Sequence, residues 1–297
     1  MKLQRQTGAL LLMVSLVLAT IAALAVGMNR VSGVEAGSVR RDYEARAAGY
    51  LAEAGVAAAT WRNQVGGCTS EQLDPVMLNG GTFSASVPSV RGIARKIDIV
   101  ATGTVGGDTK RTLARPQVTL HDLANLETVK LTRGARNVAI DMWKSDYDDD
   151  DPLALVYGSA HALLFWDMID IKRDALVLGA TLTLTPTVLS GGLGTLTLHR
   201  VTTRWNDDAN WSRPRDEAVR WNGGDYIGAI AARANMAGYS PVAWDVTALV
   251  DDWFNGRWPN EGLLLRLTAP APTVRFYSLD ASSTRRPLLQ VVSARQC

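Results

Sequence analysis

The sequence predicts an α+β N-terminal part, made of a long N-terminal helix and a small antiparallel sheet, followed by an all-β jelly-roll sandwich. Three observations predict this class. An uncharged apolar run continues into a helical pattern, alternating apolar and polar segments follow it, and the remaining chain is rich in β-type segments separated by turn residues. The predicted parts are a leader (1–8), the helix and sheet (9–118), a linker (119–133) and the sandwich (134–297).

The first predicted element is one helix of roughly fifty residues that leaves a membrane and enters the first folded part. Lys2 and Arg5 precede an uncharged run from Ala9 to Met28, and no proline interrupts residues 31–61. Basic residues before an apolar run place the N-terminus in the cytoplasm and the bulk of the chain outside. One apolar face is predicted at three-to-four spacing through Ala47, Ala48, Leu51, Ala54, Ala58 and Trp61. An ordinary signal peptide or a lone transmembrane helix begins in the same way.

The next predicted element is a three-stranded meander that packs on the second half of the helix. Residues 66–75 contain Gly, Ser and Pro and indicate a break. Residues 81–87 and 95–105 alternate apolar and polar side chains, and Gly106-Gly107 indicates the turn of a hairpin that residues 107–118 close.

After the linker, repeated short β-type segments indicate a sandwich or jelly roll. Two of them alternate apolar with polar residues, as half-buried strands do. The strongest segments are residues 176–190, 193–205, 243–256, 261–269, 273–281 and 286–294.

Composition and motifs argue against nucleic-acid binding and catalysis. The net charge is +2, so no nucleic-acid partner is expected. The sequence contains no G-x-S-x-G, H-E-x-x-H or Cys-His arrangement, and His121, His161 and His199 lie on or near apolar runs, as structural histidines do. We therefore predict a protein that is not an enzyme, although a pair of carboxylates that meets only in space stays open.

The two cysteines, Cys68 and Cys297, lack a second Cys or His at the spacing of zinc ligands. In an exported chain a disulfide between them is the natural interpretation, and two unrelated thiols are the alternative.

Nine tryptophans supply candidate ligand-binding rings. Trp143, Trp221 and Trp258 lie in loop-like contexts with polar neighbours, where an exposed ring can stack on a sugar; the alternative is that they pack in the interior. For four other tryptophans we favour packing in the core or at its rim: Trp205, Trp211, Trp244 and Trp253.

An acidic run contains Asp146, Asp148 and Asp150 at alternate positions, and their carboxylates can converge from a loop. Oxygen ligands of that density suit Ca²⁺, so Ca²⁺ is the one candidate cofactor. A solvated acidic loop is the alternative.

The N-terminus resembles that of type IV prepilins. In that family a short basic leader ends in Gly, and a peptidase cuts after it, which corresponds here to Gly8 and Ala9. The family usually has Glu at the fifth position of the mature chain, and the resemblance implies that this position acts in filament assembly. In this chain that position is Met13. This departure resembles K-type pseudopilins, which cap filament tips, and the leader resembles that of PilX-type minor pilins. The resemblance implies insertion in the inner membrane, other pilin subunits as partners of the helix, and a final place in a filament at the cell surface.

The C-terminal part resembles the DNRLRE (disaggregatase-related) domain, a jelly-roll module related to carbohydrate-binding modules. The matching residues are a two-Trp stretch with Trp205 and Trp211, Phe165-Trp166-Asp167 in a strand end, and an ordered signature through Trp244, Asp245, Thr247, Val250, Trp253, Asn260, Gly262 and Leu263 to Leu265.

These observations predict a minor or tip-located pilin-like protein that displays its second part for adhesion, by binding a surface glycan or a protein. A passive spacer subunit of a pilus-like filament is the first alternative. A tethered polysaccharide-active enzyme is the second.

Overall fold

The computed structural model describes residues 4–87, 96–144, 152–189, 194–215, 219–236, 238–268 and 273–297. Within the first helix, it describes the side chains of residues 18–21 and of the residues from 37 onward. The chain divides into two compact units, Met1–Leu120 (unit 1) and His121–Cys297 (unit 2).

Unit 1 contains one helix and a four-stranded antiparallel sheet in the order β1-β2-β3-β4. Its elements are α1 (Gln4–Val65), β1 (Leu73–Leu78), β2 (Gly81–Ser86), β3 (Lys96–Val105) and β4 (Thr109–Thr119). The first strand lies in the segment that we had interpreted as a break, so the sheet has one strand more than the predicted meander.

Helix α1 packs closely against β3 because small residues meet at the contact. A Cβ atom on Gly103 would lie 2.1 Å from the carbonyl oxygen of Ala48 and 2.7 Å from the amide nitrogen of Ala52. Gly55, on the same side of the helix, would place a Cβ atom 3.0 Å from that of Ala101. The helix backbone therefore lies against the strand with no room for a larger residue at position 103.

The predicted single apolar face of α1 is wrong, because the helix has apolar residues on two sides. Ala48 and Leu51 are buried against the sheet, but Trp61, predicted on the same face, is 63% exposed. At 100° per residue, Trp61 lies about 140° around the helix from Ala48, so the sequence spacing merges two different faces.

The end of α1 is fixed by Asn63, which is fully buried. Its side-chain nitrogen donates to the carbonyls of Ala59 (2.8 Å) and Glu71 (3.0 Å), and its oxygen accepts from the Glu71 amide (2.5 Å) and the Thr69 hydroxyl (3.0 Å). A buried amide with its polar atoms satisfied holds the chain that follows the helix in one path. Cys68 lies within this turn with φ 64°, and the predicted disulfide between Cys68 and Cys297 is present.

The described residues of unit 2 form three antiparallel sheets and one helix. Their orders are β12-β11-β14-β8-β6, β13-β9-β16-β5 and β10-β15-β7. The elements are β5 (Glu127–Leu131), β6 (Arg136–Asp141), β7 (Leu153–Leu155), β8 (Ala160–Phe165), β9 (Leu176–Leu184), β10 (Pro186–Leu189), β11 (Thr195–Arg200), β12 (Ala232–Asn235), β13 (Val242–Asp245), α2 (Thr247–Phe254), β14 (Leu263–Leu267), β15 (Val274–Phe276) and β16 (Leu288–Ala294).

One main core joins the three sheets of unit 2. It contains Leu164 from the five-stranded sheet, Leu182 from the four-stranded sheet and Phe276 from the three-stranded sheet, all buried. Trp166 and Trp244 are also fully buried in it. A second, smaller apolar cluster lies on the other face of the five-stranded sheet, around Leu163 and Leu264.

The predicted fold class, an α+β part followed by a jelly-roll sandwich, is wrong. The described structure is mainly β, and its strands form four antiparallel sheets, three of which belong to unit 2. Residues 127–131, which the sequence analysis placed in a linker, form β5 and pair with β16 in the four-stranded sheet. Alternation identifies strands but carries no information on which strands pair, and the pairing decides the class.

One predicted β segment, residues 243–256, changes to a helix half-way. After β13, the Asp245 carboxylate accepts hydrogen bonds from the amide (2.9 Å) and the hydroxyl (2.6 Å) of Thr247, where α2 begins. Leu249, Val250 and Trp253 then lie on one buried face at helical spacing. The hydrogen bonds from Thr247 to Asp245 therefore favour the start of a helix, although the β-branched residues of this segment favour a strand.

In the part of the chain whose side chains are described, no helix is long and apolar enough to cross a membrane. Most side chains of the apolar run from Ala9 to Met28 lie outside the described residues.

We expect Gly103→Ala to lower the free energy of unfolding by about 2–3 kcal/mol, because the new methyl group overlaps the α1 backbone. Urea unfolding of the full chain, followed by circular dichroism, measures the change. Gly49→Ala is the matched control: its Cβ meets no atom within 4 Å, so the helix should gain about 0.5–1 kcal/mol. Equal stability of the two variants would contradict the close contact.

Candidate functional site

A cluster of polar and aromatic residues covers the five-stranded sheet of unit 2 on the face away from the main core. We call it the outer cluster; it consists of His161 from β8, His199 from β11, Arg266 from β14, and Trp211 and Tyr226 from the segment between β11 and β12. Residues with alternate numbers along a strand share a face, so His161 lies on the same face as Leu163, and Arg266 on the same face as Leu264.

His161 is 5% exposed, and its protonation follows from its partners. Its Nδ1 lies 2.8 Å from the carbonyl oxygen of Gly223, and a carbonyl only accepts, so Nδ1 carries the hydrogen. Burial lowers the pKa of His161 to about 4; the Gly223 carbonyl opposes this shift, and the charge of Arg266 adds to it. At neutral pH His161 is therefore uncharged, with Nε2 as an acceptor.

His199 is held in the same tautomer. Its Nδ1 donates to the carbonyl of Ile227 (3.1 Å), and its Nε2 accepts from the hydroxyl of Thr197 (3.0 Å). Burial lowers the pKa of His199 as well, and the nearby Arg266 charge adds to this effect. Both histidines are thus neutral hydrogen-bonding groups, and His199 has its two ring nitrogens satisfied.

Two aromatic rings cover the histidines. The Tyr226 ring centroid lies 5.0 Å from that of His199 and 6.5 Å from that of His161, and the Trp211 centroid lies 5.1 Å from His161. The Arg266 guanidinium donates to the Tyr226 hydroxyl. Trp211 needs glycine beside it, because a Cβ on Gly223 (φ +73°) would lie 2.8 Å from its ring.

Two buried polar atoms of the outer cluster have no hydrogen-bond partner among the described residues: Nε2 of His161 and Nε of Arg266. The first is an acceptor and the second is a donor. The register places Leu163 opposite Leu264 and Ala162 opposite Leu265, so His161 and Arg266 are neighbours on adjacent strands. Both atoms are enclosed by protein, so they are buried polar groups of the interior, one an acceptor and the other a donor.

The end of the same face is closed by a stacked arginine. The Arg136 guanidinium lies 3.8 Å from the ring centroid of Phe165 and 4.9 Å from that of Trp205. Trp205 is anchored by its Nε1, which donates to the carbonyl of Glu261 at 2.8 Å. This arrangement stabilises the outer face through cation–π contacts and packing.

The three predicted ligand-binding tryptophans lie in different environments. Trp143 follows β6 and is 83% exposed, while Trp258 follows α2, is 49% exposed and has the Arg200 guanidinium 4.6 Å from its ring centroid. Trp221 is 7% exposed, and its Nε1 donates to the carbonyl of Asn210 at 2.6 Å. Trp221 is thus a packing residue of the second apolar cluster, and in the described structure no ring contact joins the three.

The remaining predicted site residues are only partly described. Asp146, Asp148 and Asp150 lie outside the described residues, so Ca²⁺ binding there stays a prediction. Within the described ranges, no group of three or more His, Cys, Asp or Glu residues is placed to hold a metal ion. The backbones of Gly8, Ala9 and Met13 lie in α1, and their side chains are outside the described part.

No pattern in the sequence indicates the outer cluster. Its members are spread from residue 161 to residue 266, and no motif spacing links them. The only local signal is the Gly223-Gly224 turn that brings the chain back over the sheet, where both glycines have positive φ. The sequence analysis predicts structural roles for His161 and His199. Burial is the main cause of the lowered pKa of each of the two histidines.

A comparison of the chain with models of known protein families gives no match, and a comparison with curated proteins gives none either.

We expect acidification to destabilise unit 2 through His161. Because the folded pKa is about 4 and the unfolded value is about 6.5, the unfolded chain binds a proton at a higher pH than the folded chain. The stability present above about pH 6.5 is therefore lost as the pH falls towards 4, by at most about 3 kcal/mol for this group.

Urea unfolding at a series of pH values measures this effect in the wild type and in His161→Gln, which does not titrate. The variant should lose less stability between about pH 6.5 and pH 4. The same pH slope in both proteins would contradict a buried neutral His161.

Proposed function

We propose that this protein is an assembly subunit of pilin-like type, whose helix α1 packs against helices of neighbouring subunits while unit 2 is the part that meets a ligand. One observation carries the proposal: an exposed apolar stripe along α1. It consists of Val39, Tyr43, Tyr50, Trp61 and Val65, all exposed.

The stripe occupies one side of the helix. At 100° per residue its five members fall within an arc of about 80°. Leu18 and Ile21, nearer the N-terminus and also exposed, fall in the same arc. The side of α1 towards the sheet is a different one, which Ala48, Ala52 and Ala59 form.

The chemistry of the stripe favours another helix as its partner. Tyr43 and Tyr50 are each 71% exposed, and large exposed aromatic rings in a row are typical of protein interfaces. The described members of this arc reach from Leu18 to Val65, more than forty residues along the chain, and a second long helix of the same kind matches that length. The occupant that we propose is α1 of a neighbouring subunit, from the same protein or a related pilin-like one.

Features of the sequence support a cellular setting for this assembly. The basic leader and the apolar run support insertion in the inner membrane, cleavage after Gly8, and a final place in a filament at the cell surface. Met13 in place of a Glu supports a minor or tip subunit. In this setting unit 2 is the displayed part, and the exposed rings of Trp143 and Trp258 support adhesion through a glycan or a protein.

We expect a photo-crosslinking amino acid at position 50 of the full chain to form covalent adducts with a long-helix subunit in the native cells. The matched control carries the same amino acid at Arg41, which is exposed and lies half a helical turn away from Tyr50. Mass spectrometry identifies the partner. Equal adduct formation at positions 41 and 50, or none at either, would overturn the proposed helix packing.

We expect the mature chain to begin at Ala9, and Gly8→Val to leave the leader attached, since the resemblance implies a peptidase that requires glycine before the cut. Intact-mass measurement of the protein purified from its cells reads the start of the chain. A wild-type chain that begins at Met1, or after Ala25, would exclude prepilin processing.

A further inference from the structure

A cavity of about 430 Å³ in unit 2 is surrounded by hydrogen-bond donors and contains no acidic residue in its wall. It lies beside β5, at the start of β16 and near the chain between β15 and β16. Its volume is within the range of small-molecule sites. The polar residues in its wall are Lys130, Thr132, Trp166, Ser283, Thr284 and Arg286.

Two cations at this cavity have no acidic partner in the described structure. Neither Lys130 nor Arg286 forms an ion pair there, whereas the nearby Arg133 pairs with Asp170 (3.1 Å) and Lys172 pairs with Glu127 (2.6 Å). Lysine and arginine side chains only donate hydrogen bonds. The charge of the cavity is therefore positive and uncompensated by its own wall.

Trp166 forms part of the cavity wall. The residue is 2% exposed, and its Nε1 is buried with no hydrogen-bond partner among the described residues, so this nitrogen is out of reach of a ligand in the cavity. The residue therefore reports on the cavity without binding a ligand through Nε1. Trp244 and Trp253 have the same buried, unpaired Nε1, but they do not line the cavity.

The remaining wall suits a ligand with hydroxyl groups and an apolar ring face. Thr132, Ser283 and Thr284 both donate and accept hydrogen bonds, and Leu279 and Leu288 supply apolar surface. Cations bind a carboxylate, the hydroxyl side chains bind ligand hydroxyls, and the apolar side chains contact C–H groups.

We propose that this cavity binds a small polyhydroxylated carboxylate of the size of a hexuronic acid. This proposal rests on the proposed ligand-binding role of unit 2. It adds the chemical class of the ligand. The carboxylate lies between Lys130 and Arg286, and the ligand hydroxyls bind Thr132, Ser283 and Thr284.

A neighbouring cavity of about 580 Å³ provides the contrast. It also contains two arginines, Arg275 and Arg285, but its wall includes Asp280, and the Arg285 guanidinium already donates to the Tyr277 hydroxyl at 2.9 Å. Arg285 and Arg286 are adjacent in sequence and line different cavities, so they form a matched pair for mutation.

Titration of the purified full chain with glucuronate, followed by the indole N–H signals of ¹⁵N-tryptophan in NMR spectra, tests the proposal. Trp166→Phe identifies the Trp166 signal. We expect glucuronate to shift that signal, and glucose, which lacks the charge, to leave it unchanged at the same concentration. Lys130→Gln and Arg286→Gln should each weaken glucuronate binding about tenfold or more, and Arg285→Gln should bind as the wild type does.

Three results would overturn the proposal. They are no shift with glucuronate, an equal shift with acetate, and an equal loss of affinity in Arg285→Gln and Arg286→Gln. An equal shift with acetate would mean that the site recognises the charge alone. If Trp166→Phe fails to fold, calorimetric titration of the three charge variants with glucuronate decides the same question. The titration with glucuronate does not require an assembled filament. A negative titration is therefore distinguishable from the absence of a crosslink at position 50, which tests the proposed helix packing.

Discussion

The close contact between α1 and β3 is the constraint on which unit 1 depends. The absence of a side chain at Gly103 lets the backbone of Ala48 and Ala52 lie against the strand. At this contact the helix buries Ala48, Ala52 and Gly55, which leave room for the strand. Tyr43, Tyr50 and Trp61 lie on the exposed side, so the packing of unit 1 and its proposed assembly surface use different sides of one helix.

Unit 2 has a different constraint, because its five-stranded sheet is buried on both faces. One face joins the main core, and the other is covered by the segment between β11 and β12. Polar groups on the covered face are costly unless they are paired or neutral. His161 and His199 meet this condition as neutral rings bound to backbone carbonyls, while Arg266 binds Tyr226 and keeps one donor unpaired.

The two proposed roles use separate surfaces with opposite chemistry. The stripe on α1 is apolar and aromatic, which favours a protein partner. The cavity beside β5 is lined by Lys130, Arg286 and hydroxyl side chains, which favours a small anion. Each surface lies within one unit, so assembly and ligand binding can be changed independently by mutation.

The sequence by itself determined the features that depend on neighbouring residues: a helix over the proline-free residues that end at Val65, the alternation of β3 and β11, and two cysteines suited to a disulfide. The tertiary structure alone decided the features that depend on strand pairing and on residues far apart. Pairing with β16 made a strand of residues 127–131, the bonds of Asp245 started α2, and packing buried Trp221 while it left Trp61 exposed. The outer cluster and the donor-lined cavity combine residues from distant positions, so no local pattern predicts them, because only the folded backbone sets which side chains meet.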